Sequence, residues 1–304
     1  MNKLFFQIIL LILFFLLGNI GLIEPAFGIA IKYSPYLQEN NLSWSIAGDL
    51  QGKNPDVLSE LTWRDVKMSG LRIELAQEFS EKVYLQSKVV CGLLFDGINQ
   101  DSDYSGNGRT QEFSRSLNQI GMDYAMNGSM AVGVQILGNH MFELSSLGGY
   151  GAWIQRMRMI NGEQLIPTTG TFVGLDSNYQ MSWAGPWFGV KGVIIINPVF
   201  RVEGDYAYYL VNYDGVGNWN LRNDLMHPVS FVHHASGVGN SISFEVKYQM
   251  TRTWAIFLGG ELSDWWMSPG YDQIFFKNGT SEITRLNQLK SKYVSLNFAI
   301  NYVW

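Results

Sequence analysis

The chain has 304 residues, with 26 acidic and 21 basic side chains for a net charge of −5, 14% aromatic and only 15% charged residues, and 32 glycines. Soluble domains average about 25% charged residues, and the scattered Lys and Arg form no electrostatic footprint for nucleic acid. A lone cysteine, Cys91, excludes an intrachain disulfide, and its apolar neighbours suit a small packed residue better than a nucleophile or metal ligand.

The first element is a targeting segment. Lys3 supplies a positive start, and Leu4 to Leu17 is an apolar run broken only by Gln7, short for a bilayer helix. The small-residue pattern Ala26-Phe27-Gly28, with Gly28-Ile29-Ala30 as the alternative, fits signal-peptidase cleavage. Residues 1–28 are therefore expected to be a signal peptide, an uncleaved anchor being the competing reading. Residues 29–304 are expected to form one domain, because no linker, charge block or fixed-period repeat divides them. That stretch contains no run of eighteen apolar residues, which excludes a helical span and leaves a soluble all-β protein or a transmembrane barrel.

Ten strands follow, at 42–50, 58–77, 83–96, 113–135, 142–160, 171–196, 199–213, 237–250, 254–264 and 288–304. In the second, Arg72 and Glu74 sit between Leu71, Ile73 and Leu75. In the seventh, Phe200, Val202, Tyr206, Tyr208 and Leu210 alternate with Arg201, Glu203 and Asp205. The eighth sets Ile242, Phe244, Val246 and Tyr248 against Ser241, Ser243, Glu245 and Lys247, and the ninth sets Trp254, Ile256, Leu258 and Leu262 against Ala255, Phe257, Gly259 and Glu261. The last strand is clearest: Val294, Leu296, Phe298, Ile300, Tyr302 and Trp304 alternate with Ser295, Asn297, Ala299 and Asn301. Such alternation fits a wall facing lipid and a polar lumen in which charges of both signs pair. Tight turns fall near Ser80-Glu81, Gly138-Asn139, Asn197-Pro198 and Thr251-Arg252, and long connections at 97–112, 161–170, 214–236 and 265–287. Short turns on one side and long loops on the other predict an all-β fold, a ten-stranded antiparallel transmembrane β-barrel. About ten residues suffice to cross a bilayer, so the longest strands are expected to project beyond it.

A final aromatic after alternating apolar residues resembles the C-terminal assembly signal of bacterial outer-membrane barrels. It implies the outer membrane, contact with its lipid, and recognition of the last strand by the assembly machinery. The chain as a whole resembles the omptin family of outer-membrane proteases, ten-stranded barrels with the active site at the outer rim. The likeness rests on Gly52-Lys53 followed by Asp56 in the first loop and on Ser59-Glu60-Leu61-Thr62-Trp63 opening the second strand. It rests further on Asp101-Ser102-Asp103-Tyr104 in the second loop, on Gly148-Gly149-Tyr150, and on the aromatic seventh strand leading to a loop with Asp and His. Omptins cleave peptide bonds with a water held between an Asp pair and an Asp–His couple, and Asp101 and Asp103 match the pair. Residues two apart on a strand extension project to one face and can share a water and a proton. The resemblance assigns the couple to Asp224 and His227, with His227 as base on the water and Asp224 orienting it. Here the chain departs from the family, which has Asp-x-His where this sequence reads Asp224-Leu225-Met226-His227. A separation of three puts the side chains on opposite faces of a regular strand, so a bulge or turn is required. The resemblance also implies Asp56 as an acidic partner for a basic substrate side chain, with Glu112 the nearest candidate for a second. No metal and no cofactor is implied beyond lipopolysaccharide, for which Arg156 and Arg158 are the candidate contacts. The plainer readings are solvated loop carboxylates at Asp101 and Asp103, a loop histidine at His227, and ordinary rim charges at the two arginines.

Other readings stand beside this one. His233, His234 and Ser236 contain the His-x-Ser of the lipid A deacylase, another barrel enzyme, but that family has eight strands and no orienting carboxylate is identifiable. A two-histidine metal site lacks a third ligand. A general porin needs about sixteen strands. A non-catalytic adhesin or structural barrel, with a peptide or host-surface ligand, accounts for the altered Asp–His spacing.

Overall fold

The alternation closes the chain on itself in a computed structural model, which describes residues 29–303. The expected signal peptide and Trp304 lie outside the described residues. Thirteen strands are present: β1 (Ile29–Ile46), β2 (Ser59–Glu78), β3 (Val83–Gly106), β4 (Thr110–Gly121), β5 (Asp123–Gly138), β6 (Phe142–Ile166), the two-residue β7 (Gly170–Thr171), β8 (Ser177–Ile195), β9 (Phe200–Asn218), β10 (Phe231–Gln249), β11 (Trp254–Met267), β12 (Gly270–Phe275) and β13 (Ser281–Val303). A break at Met122 splits one wall strand into β4 and β5, and another at Ser268 splits one into β11 and β12; β7 only fringes β6. The wall therefore has ten positions. Its antiparallel ladder runs from β1 to β13 and closes where Ala30 pairs with Val303 and Trp44 with Leu289.

Face assignment follows the expected parity. In β13 Leu296 is 63% exposed and Asn297 3%; in β11 Leu258 is 65% exposed and Glu261 4%. Water would not leave a whole wall of aliphatic side chains bare, so this outer face is matched to lipid. Cys91 lies on it, exposed, next to Leu93. The expectation that it packs inside the protein is thus corrected: Cys91 alternates with the inward Val90 and shares the outer face with Leu93.

The lumen is layered. Near the tight turns, Lys32 meets Glu245 at 2.6 Å and Glu74 at 3.0 Å, Arg72 contacts Glu74, Lys88 meets Glu261 at 3.3 Å, and Lys191 meets Glu203 at 2.8 Å. Above this ionic layer Trp153, Trp183 and Tyr209 close around Trp265, with ring centroids 4.9–5.5 Å apart. Two cavities in these layers measure only about 40 and 50 Å³.

Several boundaries differ from expectation, mostly at the loop end, with the early start of the first strand, beside the tight turns, as the exception. The first strand spans 29–46 rather than 42–50. The connections expected at 97–112, 214–236 and 265–287 are largely strand, because β3 continues to Gly106, β10 begins at Phe231, and β12 and the start of β13 pair with each other. Above the bilayer no lipid enforces an apolar outer face, so the ladder continues where the alternation fades.

Candidate functional site

A bulge aims the aspartate pair. Below it, even-numbered residues of β3 face the lumen, as Val90 (2% exposed) and Leu94 (0%) show. An unbroken strand would then turn Asp101 and Asp103 outward. Instead the β2–β3 register slips between Arg64 and Met68, with Asp65 at φ 53° and Gly97 at φ 141°. Beyond the slip odd-numbered residues face inward, so that Asp103 pairs with Ser59 and Asp101 with Leu61 over the cleft. Only glycine adopts the Gly97 conformation without strain, and a Cβ there would lie 2.9 Å from the Val66 Cα.

The cleft at the rim has a volume of about 660 Å³. It is lined by Asp101, Asp103, Ser59 and Ser114 from β2, β3 and β4, by Trp44, Phe231, Asp272 and Ile274 from β1, β10 and β12, and at its lip by Trp219, Leu221 and Arg222 of the β9–β10 loop. Burial, and secondarily the neighbouring Asp103, pushes the Asp101 carboxyl up to about 8, against a hydrogen bond from Trp219. One of its oxygens, Oδ1, is buried without a partner. Asp103 is raised too, by burial, opposed by hydrogen bonds from Ser59 and Ser114. Like charges held together in low dielectric cannot both ionise cheaply, so near neutral pH the pair can offer one proton and one acceptor.

The loop between β9 and β10 does not form the expected couple. Asp224 takes both branches of the Arg222 guanidinium, at 2.9 and 2.7 Å, which holds its carboxyl below the usual range. His227 is exposed; its Nδ1 lies 2.8 Å from Asn218 Oδ1 and its Nε2 3.2 Å from the Arg222 carbonyl. Asp224 and His227 are therefore not in contact, and neither is among the residues lining the cleft. Arg222 is the cation whose charge acts on both carboxyls of the aspartate pair.

Asp56 and Glu112 are likewise engaged elsewhere. Asp56 accepts from the Gly108 and Val57 amides at 2.7 and 2.9 Å, stapling the first loop to the second. Glu112 pairs with Arg115 at 2.8 Å. On the outer wall Arg156 lies 3.4 Å from Asp123 and Arg158 2.5 Å from Asp176. His234 also points outward, 2.5 Å from Asp214, while Ser236 bonds Asn212 at 3.0 Å, so no serine–histidine contact forms. Among the described residues no His, Cys, Asp and Glu cluster fits a metal ion.

The residues missed by sequence are Asp272 and the lip residues Trp219 and Arg222, while His233, read there with His234 and Ser236, is instead the buried neighbour of Asp272. Asp272 and Ile274 share inward parity, a signal hidden because the segment read as loop.

A family model described as Protochlamydia outer membrane protein matches residues 36–304, and no curated protein matches the chain. Among solved structures, the outer membrane protease OmpT from Escherichia coli is similar with a TM-score of 0.75, at 13% identity, over 92% of this chain and 98% of that one. The translocator domain of autotransporter NalP from Neisseria meningitidis matches with a TM-score of 0.38, at 11% identity, over 90% and 88% of the two chains. OprG from Pseudomonas aeruginosa matches with a TM-score of 0.35, at 10% identity, over 91% and 96%. The likeness to OmpT shows the fold alone, as the identity is too low to carry chemistry.

Proposed function

Because the chain belongs to the Protochlamydia outer membrane protein family and is a bacterial outer-membrane β-barrel with the fold of OmpT, we propose that its rim cleft is the active site of a surface endopeptidase in which Asp101 and Asp103 hold the attacking water. The observation that carries this reading is the bulge at Gly97: a glycine-only conformation turns two carboxyls, both raised by burial, into one shared cleft. A protonated carboxyl beside an acceptor can orient a water and supply a proton to the leaving amine. The apolar walls exclude bulk water and strengthen these interactions.

The second reading is a barrel that binds a peptide or host-surface ligand without cleaving it, an adhesin or a structural protein. What favours it is His227, exposed and engaged at both ring nitrogens away from the cleft. In either case the wall contacts membrane lipid. Lipopolysaccharide as a requirement for activity, and assembly through β13, are part of the proposal and rest on the resemblance and on the apolar outer face of that strand.

The test is peptide hydrolysis by refolded protein in detergent with lipopolysaccharide. Asp103→Asn is expected to lose at least about 100-fold in kcat/KM. A variant rate equal to that of the unaltered protein would sink the endopeptidase reading.

A further inference from the structure

The half of the site that the loop fails to supply is present one layer deeper. His233 stands on β10, the eighth of the ten wall positions, and β3 is the third, so the imidazole and the aspartate pair come from strands half a circumference apart. His233 is fully buried, with its Nε2 3.1 Å from Asp272 Oδ1. Its Nδ1 lies 2.8 Å from the Tyr179 hydroxyl, itself 2.5 Å from the Tyr213 hydroxyl. A carboxylate only accepts, so the imidazole proton belongs on Nε2, and Tyr179 then donates to Nδ1 and Tyr213 to Tyr179. Nε2 makes no hydrogen bond here, only the 3.1 Å contact with the carboxylate. Trp44, edge-on to the imidazole at 4.7 Å, locks the ring, and Thr284 donates to the other Asp272 oxygen at 3.3 Å. Asp272 is the member that reaches the cleft containing Asp101 and Asp103.

Resting on the endopeptidase reading, we infer that Asp272 is the catalytic base of this cleft and that His233 is its positioning residue, in place of Asp224 and His227. In the reaction Asp272 takes a proton from the water as the water oxygen bonds to the scissile carbonyl carbon. The C–N bond then breaks as the protonated member of the Asp101–Asp103 pair gives its proton to the departing amine. Loss of the Asp272 proton to solvent and uptake of one by the pair restore the starting state, so the net change is hydrolysis alone. The order is inverted relative to the family, with the carboxylate in front and the imidazole behind. A buried imidazole that orients a carboxylate requires neither the Asp-x-His spacing nor a mobile loop.

Five variants test the couple in the same hydrolysis assay. Asp272→Asn, close to isosteric, is expected to lose at least about 100-fold, and Asp272→Glu, which keeps a carboxylate, to retain an intermediate rate. His234→Ala, on the same strand but facing outward, leaves the rate unchanged. His233→Leu removes the imidazole and is expected to lower kcat at least about 10-fold with KM unchanged, and His233→Gln, which returns an N–H near the Nε2 position, to recover most of that loss. A purely packing role for His233 would leave the Gln variant as impaired as the Leu variant, and that result overturns the inference. Wild-type hydrolysis by a folded Asp272→Asn protein, alongside an inactive Asp103→Asn protein, overturns the couple alone. Unchanged rates in both remove the endopeptidase reading with it, as does a protein with no hydrolytic activity.

Discussion

The floor of the barrel and its rim use the same residue types to opposite ends. In the lower lumen three cations, Lys32, Arg72 and Lys88, meet three carboxylates, Glu74, Glu245 and Glu261, within 4.0 Å. At the rim Asp101, Asp103 and Asp272 converge on one cleft, and Arg222, the cation on its lip, already holds Asp224 by both branches. Paired buried charges contribute little net stability but make the loss of one partner costly. Uncompensated carboxyls cost stability outright, and that is the arrangement expected where protons are to be moved. The contrast separates a part of the lumen built to hold shape from a part built to react.

The most severe way to break this contrast is to unbalance the floor. Replacing Arg72 by Met leaves Glu74, Glu245 and Glu261 facing one another with less countercharge. Unfolding in urea from detergent micelles, followed by tryptophan fluorescence, is expected to show a loss of about 3–5 kcal/mol. A change below about 1 kcal/mol would mean that water, not Arg72, balances those carboxylates.

A smaller effect is expected at the hinge between the two regions. Gly97→Ala puts a Cβ at φ 141°, against Val66 and 3.2 Å from Ile120 Cγ1, for about 1–3 kcal/mol. If the strand escapes by losing the bulge, odd-numbered residues turn outward and hydrolysis falls with them. A variant that retains both stability and activity would show that the bulge does not aim the pair.

How much of this was legible in the sequence follows the same division. Where lipid touches the wall, each outward residue must be apolar, so β9, β10, β11 and β13 declare their faces and the ten positions can be counted. Above the bilayer that demand ends, which is why Asp101, His233 and Asp272 seemed to lie in loops while their backbones are paired strand. Inside, Trp153, Trp183 and Trp187 make the inward face apolar as well, erasing the contrast on which parity depends. The aspartate pair stood out because two residues apart means one face in any extended chain. The Asp224–His227 couple misled because proximity in sequence stood in for contact, and an arginine two residues away takes the carboxylate first. Gly97 gave no signal beyond being glycine, since a bulge is a mismatch between two strands and neither strand alone records it.

The mildest test reads the rim through pH. A carboxyl raised in the folded state binds its proton more tightly there than in the unfolded chain, so Asp101 opposes folding as the pH climbs. With an ordinary value near 3.8 unfolded and about 8 folded, the folded protein carries the extra proton between those limits. Stability must therefore fall, not rise, from pH 4 to pH 8, by at most about 1.4 kcal/mol per unit for one proton. Asp101→Asn, which keeps the shape and removes the titration, is expected to flatten that slope and to be the more stable protein at pH 8. The same substitution is expected to abolish hydrolysis, since an amide cannot pass its proton to an amine. Equal slopes in the two proteins would mean that Asp101 ionises freely, and the cleft would then be as balanced as the floor.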